Sequence, residues 1–173
     1  WEFRYIKNTL SRDKRVDLKI FLTGTDRDYA EHNEKYIKNL PREKKDLFKY
    51  DVIVFGNADK DQISSQTLEY MKEFVGSMGG GLLVIADRKH NPWQYRATPL
   101  ADMLPVIFEA RAGDDARNEI YSPLQKSFGL RLTDEGMSHT VTRFEQDRDA
   151  NERLWRKGSP HYWFAPVSRA KPH

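Results

Sequence analysis

The fold is decided by residues 52–85, which read VIVFGNADKDQISSQTLEYMKEFVGSMGGGLLVI. Apolar runs stand at both ends of this stretch, at 52–55 and 82–85, and neither run alternates with polar residues. A strand that is buried on both faces has this appearance, whereas a strand with one wet face alternates. We therefore expect two inner strands of a sheet.

The segment between the two runs predicts a helix. Ser64 is placed to cap its first turn through the side-chain hydroxyl. Glycines at 79–81 mark its end, because glycine tolerates the left-handed conformation that is common there. The stripe expected to be buried consists of Leu68, Met71, Val75 and Met78, together with Phe74. Strand, helix and strand at this spacing predict a right-handed βαβ unit with parallel strands.

The rest of the chain extends this unit on both sides. Residues 16–22 alternate between apolar and polar side chains and predict a strand, and residues 106–108 predict another. Helices are expected from a stripe of Phe3, Ile6 and Leu10, and at 47–50, 99–104 and 151–155, with a polar surface loop at 111–119. Together these elements predict a three-layer α/β fold, with a flavodoxin- or Rossmann-like, mostly parallel sheet and helices on both faces.

Composition excludes several classes of function. The chain has 173 residues, with 29 Lys and Arg against 26 Asp and Glu, and this balance gives no argument for a nucleic-acid partner. The absence of Cys excludes disulfides, zinc–thiolate sites and thiol catalysis. The five His are isolated from one another, so we predict no metal site and no cofactor. No apolar run approaches the ~20 residues that span a bilayer.

Candidate binding residues follow the predicted strands, because ligands of open α/β sheets bind beyond the carboxyl ends of the strands. The loops concerned begin at Gly24, Gly56 and Asp87. In the second loop, Asn57 and Asp59 are candidates, although a lone carboxylate in a turn is usually a turn residue. The triple glycine lies at the opposite end of its strand, so it predicts a tight turn and not a phosphate-binding loop.

The loop after the second apolar run contains the largest number of reactive side chains. Its candidate residues for binding a ligand or partner are Asp87, Arg88, His90, Asn91, Trp93 and Tyr95. Asp87 and His90 form an acid–base pair if the loop folds back, and Asp102 is a candidate to join them. The alternative, which we favour, is that Asp87 caps or forms a salt bridge and His90 is exposed. Trp93 either stacks on a ligand or covers the edge of the core, and we favour the second role.

The order of these motifs resembles class I glutamine amidotransferase-like domains, and above all the domain of this kind in large uncharacterised bacterial membrane proteins. Those proteins often also carry a von Willebrand factor A domain. The stretches that carry the resemblance are WEFRY (1–5), YDVIVFG (50–56), GGGLLVIA (79–86), TPLADMLP (98–105) and LTDEG (132–136), with His139 and Trp155. The resemblance implies a single domain over 1–173, within a longer chain, in which 111–173 is a C-terminal extension packed on the same core.

The resemblance also implies a scaffold that lacks its catalytic group. The superfamily places a nucleophilic Cys at the sharp turn after the strand that corresponds to 82–85, and this chain has Ala86 there. A thiolate acyl intermediate needs a thiol, so we predict no catalytic residue and no glutaminase activity. The family pattern has one more strand before the first helix. That strand is absent from this sequence, which we therefore expect to be a segment of a longer protein.

The function expected from these observations is that of a non-catalytic binding or protein-interaction module, a pseudoenzyme. Aromatic residues expected to be exposed, Trp93, Tyr95, Tyr162 and Trp163, favour it. The alternatives are a small-ligand or carbohydrate sensor, and a thiol-independent hydrolase that uses Asp87 and His90. The resemblance implies a soluble domain of a bacterial inner-membrane protein, with the extracytoplasmic side favoured, and partners that are proteins or other domains of the same chain. The sequence does not determine the oligomeric state.

Overall fold

The structure is a computed structural model that describes residues 2–23, 33–108 and 126–172. It has a mixed fold of helices and strands with a small parallel sheet of two strands. The chain divides into two compact units, of which the first comprises Trp1–Arg111 with Ala165–His173 and the second Ala112–Phe164. The predictions for the loop at Gly24 and for residues 111–119 lie outside the described residues. The single domain over 1–173 stays a prediction.

The secondary structure of the described residues is as follows. In the first unit, the helices are α1 (Glu2–Arg12), α2 (Lys44–Leu47), α3 (Ser65–Gly76) and α4 (Pro99–Met103). Its strands are β1 (Val52–Phe55), β2 (Gly81–Val84), β3 (Val106–Ile107) and β4 (Arg169–Ala170), with 3₁₀ turns at Lys60–Gln62 and Trp93–Tyr95. The second unit contains α5 (Asp134–Ser138), a 3₁₀ turn at Thr140–Thr142 and α6 (Arg148–Arg156). Within the described ranges, no helix is both long and apolar enough to cross a membrane.

Strands β1 and β2 pair in parallel, as the sequence predicts, with Ile53 opposite Leu82 and Phe55 opposite Val84. The side chains of this face join the core, where Phe55 is buried. The prediction that both faces are buried is wrong, because Val52 is 59% exposed and Leu83 is 52% exposed. An apolar run indicates burial on two faces only where a second layer covers the sheet, and the described helices cover one face of this pair.

Within the described residues, helix α3 contributes three of the eight buried residues of the core cluster, Leu68, Met71 and Phe74. The Ser64 hydroxyl accepts the N–H of Thr67 at 3.0 Å, which confirms the predicted cap. Leu68 and Met71 are 2% and 3% exposed, as expected from the stripe. Val75 is half-buried, and the expected burial of Met78 is wrong. Met78 is 61% exposed because the helix ends at Gly76, so the next residues leave the apolar face.

The triple glycine forms the tight turn that the sequence predicts. Gly79 has φ +73°, in the left-handed region that favours glycine, and the N–H of Gly80 donates to the carbonyl of Phe74 at 2.9 Å. The ring of Phe74 occupies the space that a side chain at Gly80 would need. Glycine at this position therefore allows α3 to pack its last aromatic ring against the turn into β2.

The strand predicted over 16–22 is wrong. Ile20 alone pairs there, in an isolated parallel bridge to Tyr36 that is held by bonds to the flanking residues Lys35 (2.7 Å) and Ile37 (2.8 Å). Alternation of apolar and polar residues shows which side chains share a face, but a strand forms only where the backbone of another strand pairs with its edge. Helix α1 is present as predicted, although none of its residues is buried.

The last described residues of the chain return to the first unit. The strand predicted at 106–108 is β3, which pairs antiparallel with β4 and forms a sheet separate from β1 and β2. The ammonium group of Lys171 donates to the carbonyls of Ala101 (2.7 Å) and Asp102 (2.9 Å), at the end of α4. A cation at a helix C-terminus satisfies carbonyls that have no partner within the helix.

In the second unit, Asn151 and Trp155 on α6 fix the segment before the helix. The side chain of Asn151 is almost wholly buried, and its oxygen accepts the N–H groups of Phe144 (2.9 Å) and Glu145 (3.2 Å). Its amide nitrogen and the indole of Trp155 both donate to the carbonyl of Thr142. These contacts explain why the predicted helix at 151–155 forms and extends over two full turns.

Candidate functional site

The loop that follows β2 turns sharply around the carboxylate of Asp87. One oxygen of Asp87 accepts the N–H groups of Lys89 (2.5 Å) and His90 (2.7 Å), and the other accepts the N–H of Asn91 (2.9 Å). This arrangement is a loop cap, as we favoured from the sequence. The carboxylate therefore orders the backbone of the loop and makes no hydrogen bond to the His90 imidazole.

Asn91 connects this loop to the ends of both parallel strands. Its side chain is fully buried, and its amide nitrogen donates to the carbonyls of Ile85 (2.9 Å) and, more weakly, Phe55 (3.5 Å). The N–H of Asp87 donates in return to the carbonyl of Asn91 at 2.7 Å. Asn91 is one of the candidate binding residues, and the structure places it inside the loop, where it has no surface to offer a ligand.

The imidazole of His90 lies against the neighbouring loop, and the expectation that it is exposed is wrong. Its side chain is 12% exposed, and its Nδ1 lies 3.9 Å from the carboxylate of Asp59 without a hydrogen-bond partner. The capped turn around Asp87 carries His90 back toward the loop after β1. The structure therefore brings together two candidates, His90 and Asp59, whose proximity no sequence pattern predicts.

Tyr95 is a core residue and not a stacking platform, which corrects the expectation that it is exposed. Its side chain is wholly buried, its hydroxyl donates to the carbonyl of Ala58 at 2.9 Å, and its ring meets the ring of Phe55 edge-on. Burial raises the pKa of Tyr95 above its ordinary range, and nearby carboxylates, of which Asp59 contributes most, raise it further. The phenol is therefore neutral at physiological pH.

Trp93 packs against the ring of Phe108, in keeping with the structural role favoured above, but it stays partly accessible. It is half-buried, its indole N–H donates to the carbonyl of Asp87 at 3.2 Å, and its ring lies edge-on to the ring of Phe108. Of the remaining candidates, Arg88 and Asn57 are exposed on the two loops. The exposed part of the candidate site is therefore polar and small.

Two further groups do not join the loop. Asp102 forms an ion pair with Lys72 at 2.7 Å and is more than half exposed, so it does not complete an acid–base set with His90. Among residues 2–23, 33–108 and 126–172, no group of three His, Cys, Asp or Glu side chains is placed to hold a metal ion. His139, an isolated histidine of the second unit, accepts the N–H of Val141 through Nδ1 at 3.2 Å and stabilises a local turn.

An apolar groove of about 470 Å³ lies beside β1 in the first unit. Its walls come from α1, from residues 18–23, from β1 and from Met71 of α3, and Asp87 borders it where β2 ends. Phe3, on α1, faces it while remaining 38% exposed. The sequence does not predict this groove. The apolar stripe of α1 and the apolar residues of 16–22 indicate surfaces that pack against other elements, but such patterns do not show where no packing element is present.

Comparisons of the chain with protein-family models, with curated proteins and with solved structures give no match.

Proposed function

We propose that the chain is a non-catalytic, amidotransferase-like interaction module of a membrane-anchored bacterial protein, built on a three-layer Rossmann-like scaffold. The order of sequence motifs supports the scaffold, and the parallel pairing of β1 with β2 around α3 is consistent with it. The observation that carries the absence of catalysis is the state of the loop after β2. There the carboxylate of Asp87 is engaged by three backbone N–H groups, and the position of the superfamily's nucleophile is Ala86.

The other titratable groups of the loop support the same proposal. A general base needs an acceptor directed at a substrate proton, and a nucleophile needs a neighbouring base. The phenol of Tyr95 is buried, donates to a backbone carbonyl and has a raised pKa, so it supplies neither. What remains for binding is the apolar groove beside β1, whose walls present aliphatic and aromatic side chains. Such a surface suits a protein partner.

One observation favours a second candidate, a thiol-independent hydrolase. The Nδ1 atom of His90 is buried without a hydrogen-bond partner and lies 3.9 Å from Asp59. A small movement of either side chain would make a carboxylate–imidazole pair, which is the arrangement of a general base with its orienting group. A carbohydrate sensor loses one of its two expected stacking platforms, because Tyr95 has no exposed ring face, whereas Trp93 stays partly accessible.

An activity test separates the two candidates. The chain is assayed for ammonia release from glutamine and for hydrolysis of chromogenic esters, phosphates and glycosides, beside a no-protein control. The interaction module predicts no rate above that control. Hydrolysis that disappears in both His90→Ala and Asp59→Asn, and persists in the matched loop variant Lys89→Ala, would establish the hydrolase and refute the proposal.

A further inference from the structure

We propose that the groove beside β1 binds an extended, uncharged apolar peptide segment, which inserts as a strand between β1 and residues 18–22. The inference rests on the proposed interaction function and names the chemistry of its partner. It is carried by two backbone edges that border the same groove, one of strand β1 and one of the segment 18–22, and no described strand pairs with either edge there.

The first open edge belongs to β1. The carbonyls of Asp51 and Phe55 accept N–H groups of Gly81 and Ile85, both at 2.9 Å, so the odd-numbered residues of β1 face β2. Successive residues of a strand direct their N–H and C=O groups to opposite edges. The backbone groups of residues 52 and 54 therefore point away from β2. In the described part of the chain β1 pairs with β2 alone, and both residues line the groove.

The second open edge belongs to residues 18–22. Ile20 donates its N–H to Lys35 and accepts the N–H of Ile37, so its backbone groups face residues 35–37. In an extended segment the backbone groups of Lys19 and Phe21 then face the opposite side. Both of these residues line the groove, and no described strand pairs with them.

The side chains and charges of the groove fit an uncharged apolar occupant. Its α1 wall presents apolar residues of which none is buried, and Val54 on β1 is 39% exposed. The charged residues that line it are two acids and two bases, so they favour neither sign of charge in an occupant. They are Glu2, Lys7, Lys19 and Asp87. An apolar strand would bury the exposed side chains and pair the open backbone groups together.

Other occupants match less of the groove. A small apolar molecule would contact the side chains and leave the backbone groups of both edges without partners. None of the described strands of a second copy has two edges to offer, because β1 already pairs with β2 and β3 with β4. A free extended segment has both of its edges available.

The test uses the peptide TVIVIT-amide, labelled at its N-terminus with fluorescein, and two matched labelled peptides that are N-methylated on alternate residues, one on the odd and one on the even positions. A strand paired on both edges loses hydrogen bonds in either methylated peptide, so each should bind roughly 5- to 100-fold more weakly, as expected for two lost hydrogen bonds. Weakening by one methylated set alone indicates pairing with a single edge. Equal binding of all three peptides indicates apolar contact only. Either result, or no binding by any peptide, overturns the inference.

Protein variants locate the site. Leu10→Asn changes a groove-lining residue of α1, and Thr9→Asn is its control on the same helix, because Thr9 is exposed and does not line the groove. Leu10→Asn should weaken peptide binding at least about tenfold, since it places a polar group on the apolar wall, while Thr9→Asn leaves binding unchanged. Peptide binding should also slow hydrogen exchange at the amides of Val52 and Val54. Equal binding by both variants, or unchanged exchange, would contradict the assigned site.

The inference and the proposed function fail in different ways. Hydrolysis that depends on His90 removes the interaction module whatever the peptides do. Absence of activity together with absence of peptide binding removes the strand-insertion inference alone. A dimer that forms with rising protein concentration and blocks peptide binding would assign the groove to a second copy and would also refute the inference.

Discussion

Three backbone N–H groups converge on the carboxylate of Asp87, and this local arrangement orders the backbone of residues 89–91. Because the turn is tight, the next residues reverse direction, and His90 is carried toward Asp59. The buried amide of Asn91 then bonds to the carbonyls at the ends of β1 and β2. The loop after β2 has the residue types of a reactive site, but its polar side chains at Asp87 and Asn91 are used for hydrogen bonds within the loop and to the strand ends.

Asn91→Ala should lower the free energy of unfolding by about 2–4 kcal/mol. The substitution removes the side-chain donor to the carbonyl of Ile85, together with a weaker bond to the carbonyl of Phe55, which keeps the N–H of Ile85, and it opens a small cavity. The matched control is Asn57→Ala, because Asn57 is exposed on the neighbouring loop and its replacement should change stability by less than about 0.5 kcal/mol. Urea unfolding monitored by circular dichroism measures both. Equal losses in the two variants would contradict the role assigned to Asn91.

Alkaline pH should destabilise the first unit through Tyr95. Burial raises the pKa of Tyr95 in the folded chain above its ordinary value of 10.0. The stabilisation that comes from the neutral phenol is therefore complete below pH 10 and is lost as pH rises toward the folded-state pKa. The loss is expected to approach about 1.4 kcal/mol per pH unit above pH 10.

Tyr95→Phe isolates this contribution, because the ring remains and the titrating hydroxyl is removed. Lysine ion pairs weaken over the same range in both proteins, so the relevant quantity is the difference between the two slopes of unfolding free energy against pH. Urea unfolding at several values from pH 8.5 to 11 gives both slopes. Parallel lines for the two proteins would show that Tyr95 does not titrate as a buried group.

At the scale of elements, α3 provides a direct test of its buried stripe. Leu68→Ala should cost about 2–5 kcal/mol of unfolding free energy, because Leu68 is 2% exposed in the core between α3 and the sheet. Met78→Ala should cost less than about 0.5 kcal/mol, because Met78 lies beyond the helix end and is largely exposed. Guanidinium unfolding of the two variants measures the contrast, and a costly Met78→Ala would place the helix end further along the chain.

Elements whose signals are local could be predicted from the sequence. A hydroxyl cap at Ser64, apolar residues at helical spacing and a glycine turn define α3 between two apolar runs, and the runs pair in parallel as expected. Residues 16–22 carry an equally regular pattern, but their pairing depends on a neighbouring edge, and Ile20 alone finds one. The exposure of Val52 and Leu83 has the same cause. The residue pattern of a strand does not show whether another layer packs on each face of its sheet.

The candidate site could be located from the sequence, but its chemistry could not. The rule that ligands bind beyond the strand ends selects the loop at 87–95. Whether Asp87 acts as a base or as a cap depends on where the N–H groups of the following residues point, and this follows from the turn and not from residue type. The pairing of His90 with Asp59 joins loops about 30 residues apart in sequence, and it is visible only in the folded chain.

At the scale of the whole molecule, the first unit combines a closed loop at the carboxyl ends of its parallel strands with an open groove along the edge of β1 that no described strand covers. In an α/β scaffold that acts as an enzyme, the strand ends carry the reactive groups. Here those ends are occupied by backbone hydrogen bonds, and the exposed apolar surface lies along the sheet edge. This distribution supports the proposed binding through backbone pairing over catalysis.

Ala86→Cys should therefore not create glutaminase activity. The substitution restores a thiol at the turn after β2, but a thiol needs a base or an electropositive setting to become a nucleophile at neutral pH. The imidazole of His90 lies against Asp59 with no hydrogen bond at Nδ1 to orient it, and Asp87 is engaged by the backbone. The introduced thiol should react with iodoacetamide with an apparent pKa near 8.5, the value of a free cysteine. Ammonia release from glutamine should remain at the no-protein level, and release that is lost again in the double variant with His90→Ala would show that the loop retains a working base.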